Sequence, residues 1–462
     1  MCEYSFDVVV LGGGPGGYEA AIRCAQYGKK VALVESRELG GTCLNRGCIP
    51  TKALLHGAEL FEEAKNASSF GVFTGDVSFD FAKMVECKDN IVSKLRSGVA
   101  SLEKAHGVKV IKGFGKLIDQ HSLEVDGELV TFDRLILATG SSPARPPIPG
   151  IDGENVVTSD EILAMTELPE SFVIIGGGVI GIEFATLFAT LGRSVTVIEM
   201  MPSILPGVDA DIVRTLGRVL KKKKVNVINN AKVTGIEGGK AVKVNYELNG
   251  VEKVAEGACC VVSVGRRAMT SGIGLENIGL EMNRAFVNID EHCRTNVENI
   301  YAIGDITGKI QLAHVASAQG MVAAANACGK ESVMDYNVVP SCIYTAPEIA
   351  FVGMSEDKAK AAGIEYKTGS FNVAGNGRAM IMGDAMGTVK LIATPEGKLL
   401  GAQLMGPRVT DMVAEIAVIL KHNGSIEDIA ETIHPHPTVS EAIMEAAHDF
   451  DGMCCHTLPK RK

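Results

Sequence analysis

Two stretches of this 462-residue chain repeat one another. Residues 12–35 read GGGPGGYEAAIRCAQYGKKVALVE, residues 176–199 read GGGVIGIEFATLFATLGRSVTVIE, and the two align without a gap. In each copy an apolar, β-branched run precedes the glycines, and a helix-length segment and a second apolar strand follow them. This order predicts a βαβ unit whose glycine turn binds the pyrophosphate of a dinucleotide. One such motif is a weak signal, but two at identical spacing predict two dinucleotide-binding domains.

The repeated glycines form three pairs with different roles. The first pair allows the tight turn, the second lets backbone N–H groups approach the pyrophosphate, and the third lets the helix pack on the strand. In chain order the pairs are Gly12 and Gly176, Gly14 and Gly178, and Gly17 and Gly181. Glu35 and Glu199 end the second strands and are expected to accept hydrogen bonds from ribose hydroxyls. Because no arginine closely follows Glu199, the second copy favours NAD(H) over NADP(H).

Cys43 and Cys48 follow the first repeat in the sequence GGTCLNRGCIPTK. Their spacing does not suit a zinc site, which needs a second pair nearby, or a secreted disulfide framework. Behind a dinucleotide loop they predict a redox dithiol held against the cofactor, and two buried structural thiols are the alternative. A neighbouring helix N-terminus is expected to lower the pKa of a thiol there.

Composition excludes several other classes of protein. The net charge of −10 argues against binding to nucleic acid or to an anionic membrane through bulk charge. No signal peptide and no run of about 20 apolar residues is recognisable. The 12 cysteines stand mostly alone in apolar contexts, so a cytoplasmic protein with reduced thiols is expected. The lysine run 221–224 is expected to be a solvated helix end.

The length and the spacing of strands and prolines predict the domain organisation. Four prolines between residues 141 and 150 form an extended connector after the strand that ends in LATG. We expect a first dinucleotide-binding domain at 1–146, a second at 147–268, a return to the first at 269–337, and a C-terminal domain at 338–462.

Together these motifs resemble those of the flavin-dependent pyridine nucleotide–disulfide oxidoreductases, over essentially the whole chain. The other matching motifs are LATG at 137–140, YAIGD at 301–305, PSCIYTAPEIAFVG at 340–353 and HPHPTVSE at 434–441. The resemblance implies an α/β fold with two Rossmann-like three-layer domains and an α+β dimerisation domain. It also implies FAD in the first domain, NAD in the second, and a homodimer.

Within that family the resemblance implies an enzyme that oxidises protein-bound dihydrolipoyl groups and reduces NAD⁺. It would serve a lipoyl-bearing protein of a 2-oxoacid, acetoin or glycine-cleavage complex. The alternatives are an NAD(P)H-dependent disulfide or mercuric ion reductase that uses the C-terminal cysteines, and a non-catalytic flavoprotein scaffold.

The resemblance also assigns roles to residues around the flavin. Cys48 is expected to contact the flavin as a thiolate, and Cys43 to exchange with the substrate sulfur. Lys52 is expected near the flavin, paired with Glu183. Asp305 is expected to hold the ribityl chain of FAD, with a helix N-cap as the alternative. Further cofactor-binding positions are Thr139, Gly140 and Gly265.

His436 matches the general base of the family, which comes from the partner subunit, and Glu441 matches the carboxylate that orients it. Imidazole suits proton transfer near neutral pH. Thr438 and Glu441 also read as a capping box, and His434 is expected only to shape the site.

Two features depart from the family pattern. Arg46 lies between the redox cysteines, where many relatives have an apolar residue, and is expected to point to solvent. Cys454 and Cys455 precede His456 near the C-terminus and are expected to lie exposed in a mobile tail. The alternative is that they form a second redox centre.

Overall fold

A computed structural model describes residues 4–458, which divide into two compact units. The first unit comprises residues 4–146, 157–168 and 264–335. The second comprises residues 147–156, 169–263 and 336–458.

The strands are, in chain order, β1 (Phe6–Leu11), β2 (Val31–Glu35), β3 (Lys109–Lys112), β4 (Gly115–Asp119), β5 (Ser122–Val125), β6 (Glu128–Leu137), β7 (Ser141–Pro143), β8 (Val156–Val157), β9 (Ser171–Ile175), β10 (Ser194–Ile198), β11 (Val225–Ile228), β12 (Ala231–Glu237), β13 (Val242–Leu248), β14 (Val251–Gly257), β15 (Cys259–Val262), β16 (Arg266–Ala268), β17 (Met282–Asn283), β18 (Phe286–Val287), β19 (Ile300–Ala302), β20 (Ser341–Ile343), β21 (Glu348–Gly353), β22 (Lys367–Asn372), β23 (Thr388–Ala393) and β24 (Leu399–Gly406).

The α-helices are α1 (Pro15–Gln26), α2 (Gly41–Arg46), α3 (Cys48–Asn66), α4 (Phe81–Ala105), α5 (Ser159–Ile162), α6 (Val179–Thr190), α7 (Ala210–Lys222), α8 (Ala313–Ala327), α9 (Glu356–Ala361), α10 (Gly377–Met382), α11 (Val409–Lys421), α12 (Ile426–Glu431) and α13 (Glu441–Phe450). Short 3₁₀ turns span Ala67–Phe70, Leu275–Asn277, Gly304–Thr307 and Val373–Gly375.

The first unit is built on a parallel sheet in which β1 lies between β2 and β6, β3 flanks β2, and β19 pairs with β6. Alternate residues of β1 belong to two separate buried clusters. Val8 and Val10 pack with residues of α1 and α8, whereas Val9 and Leu11 pack on the opposite face. Both faces of the sheet are therefore covered, which explains why the strand is a continuous apolar run.

The second unit contains a parallel sheet in the order β11-β10-β9-β15, with β8 at its edge. The antiparallel strands β12, β13 and β14 pack on one face of it. Helix α6 is buried over most of its surface, as its almost wholly apolar sequence requires. Helix α7 ends at Lys222 with the lysine run at its exposed end, as predicted.

The C-terminal part of the second unit is an antiparallel sheet in the order β20-β21-β24-β23-β22. Helices α11 and α13 share a buried core with β23 and β24. The predicted fold, two Rossmann-like parallel sheets followed by an α+β part, is confirmed. Within residues 4–458, no helix combines the length and the apolar character needed to cross a membrane.

Candidate active site

The first glycine loop joins β1 to α1. Gly12 has a φ of +110°, and a Cβ there would lie 2.3 Å from the carbonyl oxygen of Ala138. A Cβ at Gly17 would lie 1.9 Å from the Gly12 oxygen, so both positions require glycine. Gly14 is the N-cap of α1, and the nearest atom to a Cβ there would be Gly41 Cα, at 4.0 Å. The first turn of α1 thus has room for a pyrophosphate, and the loop fits the predicted FAD.

The second loop, between β9 and α6, repeats this geometry. Gly176 has a φ of +106°, and a Cβ there would lie 2.6 Å from the Ser263 oxygen. A Cβ at Gly181 would lie 2.1 Å from the Gly176 oxygen. Nothing lies within 4 Å of a Cβ at Gly178, the N-cap of α6. This loop fits the pyrophosphate of the predicted NAD in the same way.

Glu35 and Glu199 brace the two loops. Oε2 of Glu35 accepts the N–H of Gly13 at 2.7 Å, and Oε2 of Glu199 accepts the N–H of Gly177 at 2.5 Å. The other oxygen of each accepts the N–H two residues further on, at 2.6 and 2.7 Å. A carboxylate has about four acceptor positions, so ribose binding is compatible with these bonds and stays a prediction. The bracing role was missed, although the repeated spacing of glycine and glutamate signals it.

The dithiol is attached to the first loop. The N–H of Gly40 donates to the Gly13 oxygen at 2.8 Å, and a Cβ at Gly41 would lie 2.6 Å from Gly14 Cα. Cys43 follows in α2, Cys48 begins α3, and the two thiols hydrogen-bond to each other. The first glycine loop and the Cys43–Cys48 pair are therefore parts of one structure.

The pKa of the Cys43 thiol differs from the expected one. The hydrogen bond with Cys48 and then burial raise the pKa of Cys43, and the charge of Lys52 opposes them. The expected lowering of a thiol pKa is therefore wrong for Cys43. The physical reason is that Cys43 is partly buried and hydrogen-bonded to Cys48, and these two effects outweigh the opposing charge of Lys52.

Asp305 lies in a 3₁₀ turn after β19 and accepts a hydrogen bond from the Ser141 hydroxyl. Arg266 Nε lies 3.7 Å from the Asp305 carboxylate and donates to Ser141 Oγ at 2.7 Å. Arg266 Nη2 also lies 3.4 Å from Oγ1 of Thr42, the residue before the first cysteine of the dithiol. The N-cap alternative for Asp305 is wrong, because Ile303 occupies that position. Sequence reasoning missed Arg266.

Strands β7 and β16 form a two-stranded antiparallel sheet. Three further predicted cofactor positions lie next to it in the chain. Thr139 Oγ1 donates to the Met269 oxygen at 2.8 Å, and the Met269 N–H donates to the Gly140 oxygen at 2.9 Å. Gly140 and Gly265 have φ values of +69° and +111°, which favour glycine. Their cofactor contacts stay predictions.

The expectation that Arg46 points to solvent is wrong. Its side chain is only 13% exposed, pairs with Glu38, and has Nε 3.9 Å from Asp160. The guanidinium therefore fixes α2 to the segment after β2 and to α5. The nearby acidic residues are separated from it in sequence by up to 114 positions, so sequence inspection alone does not bring them together.

His436 and Glu441 come together in the second unit, at the start of α13. His436 Nδ1 lies 2.9 Å from Glu441 Oε1, and the N–H of Thr438 donates to Oε2 at 2.9 Å. Against the effect of burial, these two hydrogen bonds hold the pKa of Glu441 below its ordinary value. The capping box is incomplete, because the Thr438 hydroxyl donates to the Pro435 oxygen and the helix begins only at Glu441. The arrangement orients an imidazole whose side chain is 78% exposed.

His434 and Glu183 are held within the second unit. His434 Nε2 lies 2.9 Å from Glu415 Oε1 and Nδ1 lies 2.9 Å from the Thr432 oxygen, which agrees with a shaping role. Glu183 is buried in α6, and its Oε1 accepts the N–H of Tyr344 at 3.0 Å. Its pairing with Lys52 stays a prediction.

The expectation that both tail thiols are exposed is met by Cys455 but not by Cys454. Cys454 packs against the core of the C-terminal part, and its Sγ donates to Glu445 Oε2 at 3.0 Å. His456 Nδ1 lies 2.6 Å from the other oxygen of Glu445, whereas Cys455 is exposed. The buried Glu445 of α13 thus anchors the tail. Among residues 4–458 we found no group of three or more His, Cys, Asp or Glu side chains arranged to hold a metal ion.

The two glycine loops fit the pyrophosphates of two dinucleotides, and a dithiol is attached to the first loop. These features define a nucleotide-dependent thiol–disulfide oxidoreductase. Residues 6–320 match the family described as pyridine nucleotide-disulphide oxidoreductase, and residues 339–447 match its dimerisation domain. The chain belongs to this family. The predicted family, enzyme class and cofactors, FAD and NAD, are thereby confirmed, and the dimerisation domain supports a homodimer.

Individual relatives cover nearly the whole chain. A dihydrolipoyl dehydrogenase of Bacillus subtilis is 42% identical over 98% of this chain and 99% of its own. The structure of LpdA from Mycobacterium tuberculosis is similar, with a TM-score of 0.89 and 28% identity over 96% of this chain and 99% of its own. The Cu(II) complex of RclA, an HOCl-induced flavoprotein disulfide reductase of Escherichia coli, has a TM-score of 0.86 and 29% identity over 95% and 98% of the two chains.

Proposed function

We propose that this protein has dihydrolipoyl dehydrogenase activity and transfers electrons from protein-bound dihydrolipoyl groups to NAD⁺. The observation that carries the proposal is the attachment of the Cys43–Cys48 pair to the first dinucleotide loop. The full-length similarity to proteins named dihydrolipoyl dehydrogenase supports this substrate.

The chemistry of the dithiol is thiol–disulfide exchange. A dihydrolipoyl thiolate attacks Cys43 of the Cys43–Cys48 disulfide, and Cys48 leaves as a thiolate. The second lipoyl thiol then attacks the first lipoyl sulfur, which is bonded to Cys43 in the mixed disulfide. This step releases the lipoyl disulfide and the Cys43 thiol. When bound, FAD would supply the two-electron redox chemistry that connects the dithiol to NAD⁺. Gly12, Gly14 and Asp305 are the residues that would hold it.

His436 removes the proton from the attacking substrate thiol, and Glu441 orients the imidazole. The exposure of His436 and its location in the matched dimerisation domain support its action on the dithiol of the partner subunit. Arg266 and Arg46 position the dithiol through Thr42 and through the pairs with Glu38 and Asp160.

The physiological partner is then a lipoyl-bearing protein of a cytoplasmic multienzyme complex. The alternative, a reductase that uses the C-terminal cysteines, requires the tail to leave Glu445, to which both Cys454 and His456 are bonded.

The test is NADH formation from dihydrolipoamide and NAD⁺ by the purified flavoprotein. We expect turnover in the wild type and in Cys454→Ser/Cys455→Ser, and its loss in Cys43→Ser. Cys87→Ser, which changes an exposed cysteine of α4, is the matched control. Absence of turnover with dihydrolipoamide, together with a tail-dependent reduction of another disulfide or of Hg²⁺ by NADH, would refute the proposal.

A further inference from the structure

A second pair of thiols lies in the first unit, away from the Cys43–Cys48 dithiol. Cys24 is in the last turn of α1 and is 0% exposed, and Cys328 is the half-buried C-cap of α8. Cys24 belongs to the buried apolar cluster between α1 and α8, and Cys328 packs against the same cluster. Neither cysteine has a role in the exchange at Cys43 and Cys48.

The packing of α1 against α8 explains this contact. Both helices carry a small residue at every fourth position. These residues are Gly16, Ala20 and Cys24 on α1, and Gly320, Ala324 and Cys328 on α8. A Cβ at Gly16 would lie 2.5 Å from the Ala316 oxygen, and a Cβ at Gly320 would lie 2.5 Å from the Gly16 oxygen. The two backbones are therefore in direct contact near the start of α1.

The helices also stay together at their C-terminal ends. Lys330 Nζ, just after α8, lies 5.1 Å from the ring centre of Tyr27, the C-cap of α1. A disulfide needs Cα atoms within about 7 Å and Cβ atoms that face one another. Two cysteines at matching positions of two closely packed helices, both in contact with one buried cluster, suit this requirement.

The surroundings of the two thiols are unequal. The interaction with Cys24 lowers the pKa of Cys328 and burial opposes it, while the charges of Lys29 and Lys330 lower this pKa and the charge of Asp7 raises it. The same interaction and burial raise the pKa of Cys24. A partly exposed thiol with nearby lysines has the surroundings of a reactive cysteine, whereas a buried partner suits a resolving one.

We propose that Cys24 and Cys328 form a second redox-active dithiol, which closes to a disulfide by exchange with a low-molecular-weight disulfide such as oxidised glutathione. The Cys328 thiolate attacks the external disulfide, forms a mixed disulfide and releases one thiol. Cys24 then attacks the Cys328 sulfur, forms the internal disulfide and releases the second thiol. Two protein thiols are oxidised, one external disulfide is reduced, and the two protons leave with the released thiols.

The disulfide would tie α1, whose first turn borders the first glycine loop, to α8. Its formation is independent of the substrate that the active-site dithiol oxidises, so the present inference does not rest on the proposed function.

Peptide mapping tests the proposal on the flavin-containing wild-type protein. The protein is reduced, freed of reductant, incubated with oxidised glutathione, blocked with N-ethylmaleimide, unfolded and digested with trypsin. The proposed disulfide joins peptides 24–29 and 310–330, each of which contains one cysteine. The active-site disulfide joins peptides 38–46 and 47–52 and serves as the internal positive control.

We expect both linked pairs in the wild type. Cys24→Ala is expected to stop at a glutathione adduct on Cys328, and Cys328→Ala is expected to leave Cys24 unmodified because it is buried. Retained flavin absorbance shows that each variant is folded. Complete formation of the 38–46/47–52 pair without the 24–29/310–330 pair in the wild type would overturn the proposal. Equal glutathionylation of Cys24 in Cys328→Ala would overturn the assigned order of attack.

Discussion

Replacement of Glu103 by glutamine is expected to stabilise the protein at neutral and alkaline pH. Glu103 is on α4, its side chain is 0% exposed, and neither carboxylate oxygen has a hydrogen-bond partner among the described residues. Burial therefore raises the pKa of this carboxyl from 4.5 to about 8.

The size and sign of the effect follow from proton linkage. Below the unfolded-state pKa the carboxyl is protonated in both states, and its ionisation does not change stability. Between that pKa and the folded-state pKa the unfolded chain releases a proton that the folded chain keeps. The free energy of unfolding therefore falls by about 1.4 kcal/mol per pH unit, roughly 3 kcal/mol by pH 7 and roughly 5 kcal/mol in total. Glutamine keeps the shape of the neutral acid and removes this loss.

The assay is urea unfolding followed by far-ultraviolet circular dichroism from pH 5 to pH 9, since the chain has no tryptophan. Glu103→Gln is expected to differ least from the wild type at pH 5, by about 1 kcal/mol, and to exceed it increasingly up to about pH 8. Glu86→Gln makes the same change at an exposed position of α4 and is the matched control. Equal pH slopes in the wild type and in Glu103→Gln would refute this reasoning.

Three further predictions concern the proposed base, the second glycine loop and a buried ion pair. His436→Gln is expected to lower turnover with dihydrolipoamide by about 10² to 10⁴-fold at unchanged flavin content, because the proton acceptor is lost; steady-state kinetics and the flavin spectrum check this, and a loss below tenfold would contradict it. Gly178→Ala adds a methyl group where no protein atom lies within 4 Å, in the space assigned to the pyrophosphate of NAD. It should therefore raise the KM for NAD⁺ without changing the KM for dihydrolipoamide. An unchanged KM for NAD⁺ would contradict the assignment of the second glycine loop to NAD. Lys390→Met removes a buried cation that lies 2.9 Å from the Asp209 carboxylate and should lower the free energy of unfolding by about 3 to 5 kcal/mol, measured in urea; wild-type stability would show that the pair is dispensable.

The helix that begins at Glu356 shows where local reasoning succeeds and where it stops. Ser355 caps α9 by accepting the N–H of Lys358, and a serine followed by two acidic residues is a local signal for such a helix start. The sequence does not predict that the Glu356 carboxylate lies 2.8 Å from Lys390 Nζ, in a cluster with Asp209 and Asp211. Helix starts depend on neighbouring residues, whereas this cluster depends on how distant segments fold together.

The same distinction applies around the dithiol. The glycine loops, the paired cysteines and the His436–Glu441 pair were predictable, since each is coded by residues close together in the chain. Arg266, the burial of Arg46 and the anchoring of the tail on Glu445 were not, because their partners come from other elements. An exposed tail and a solvated arginine are reasonable expectations for isolated polar segments, and tertiary packing overrode both.

The sequence by itself determined the two βαβ units, because glycine spacing and strand-terminal glutamates act locally through backbone conformation and short-range hydrogen bonds. Only the tertiary structure decided which charges are paired, which carboxyl is left without a partner, and which cysteines touch. Cys24 and Cys328 are more than 300 residues apart, and they meet because small residues at every fourth position let α1 and α8 approach closely.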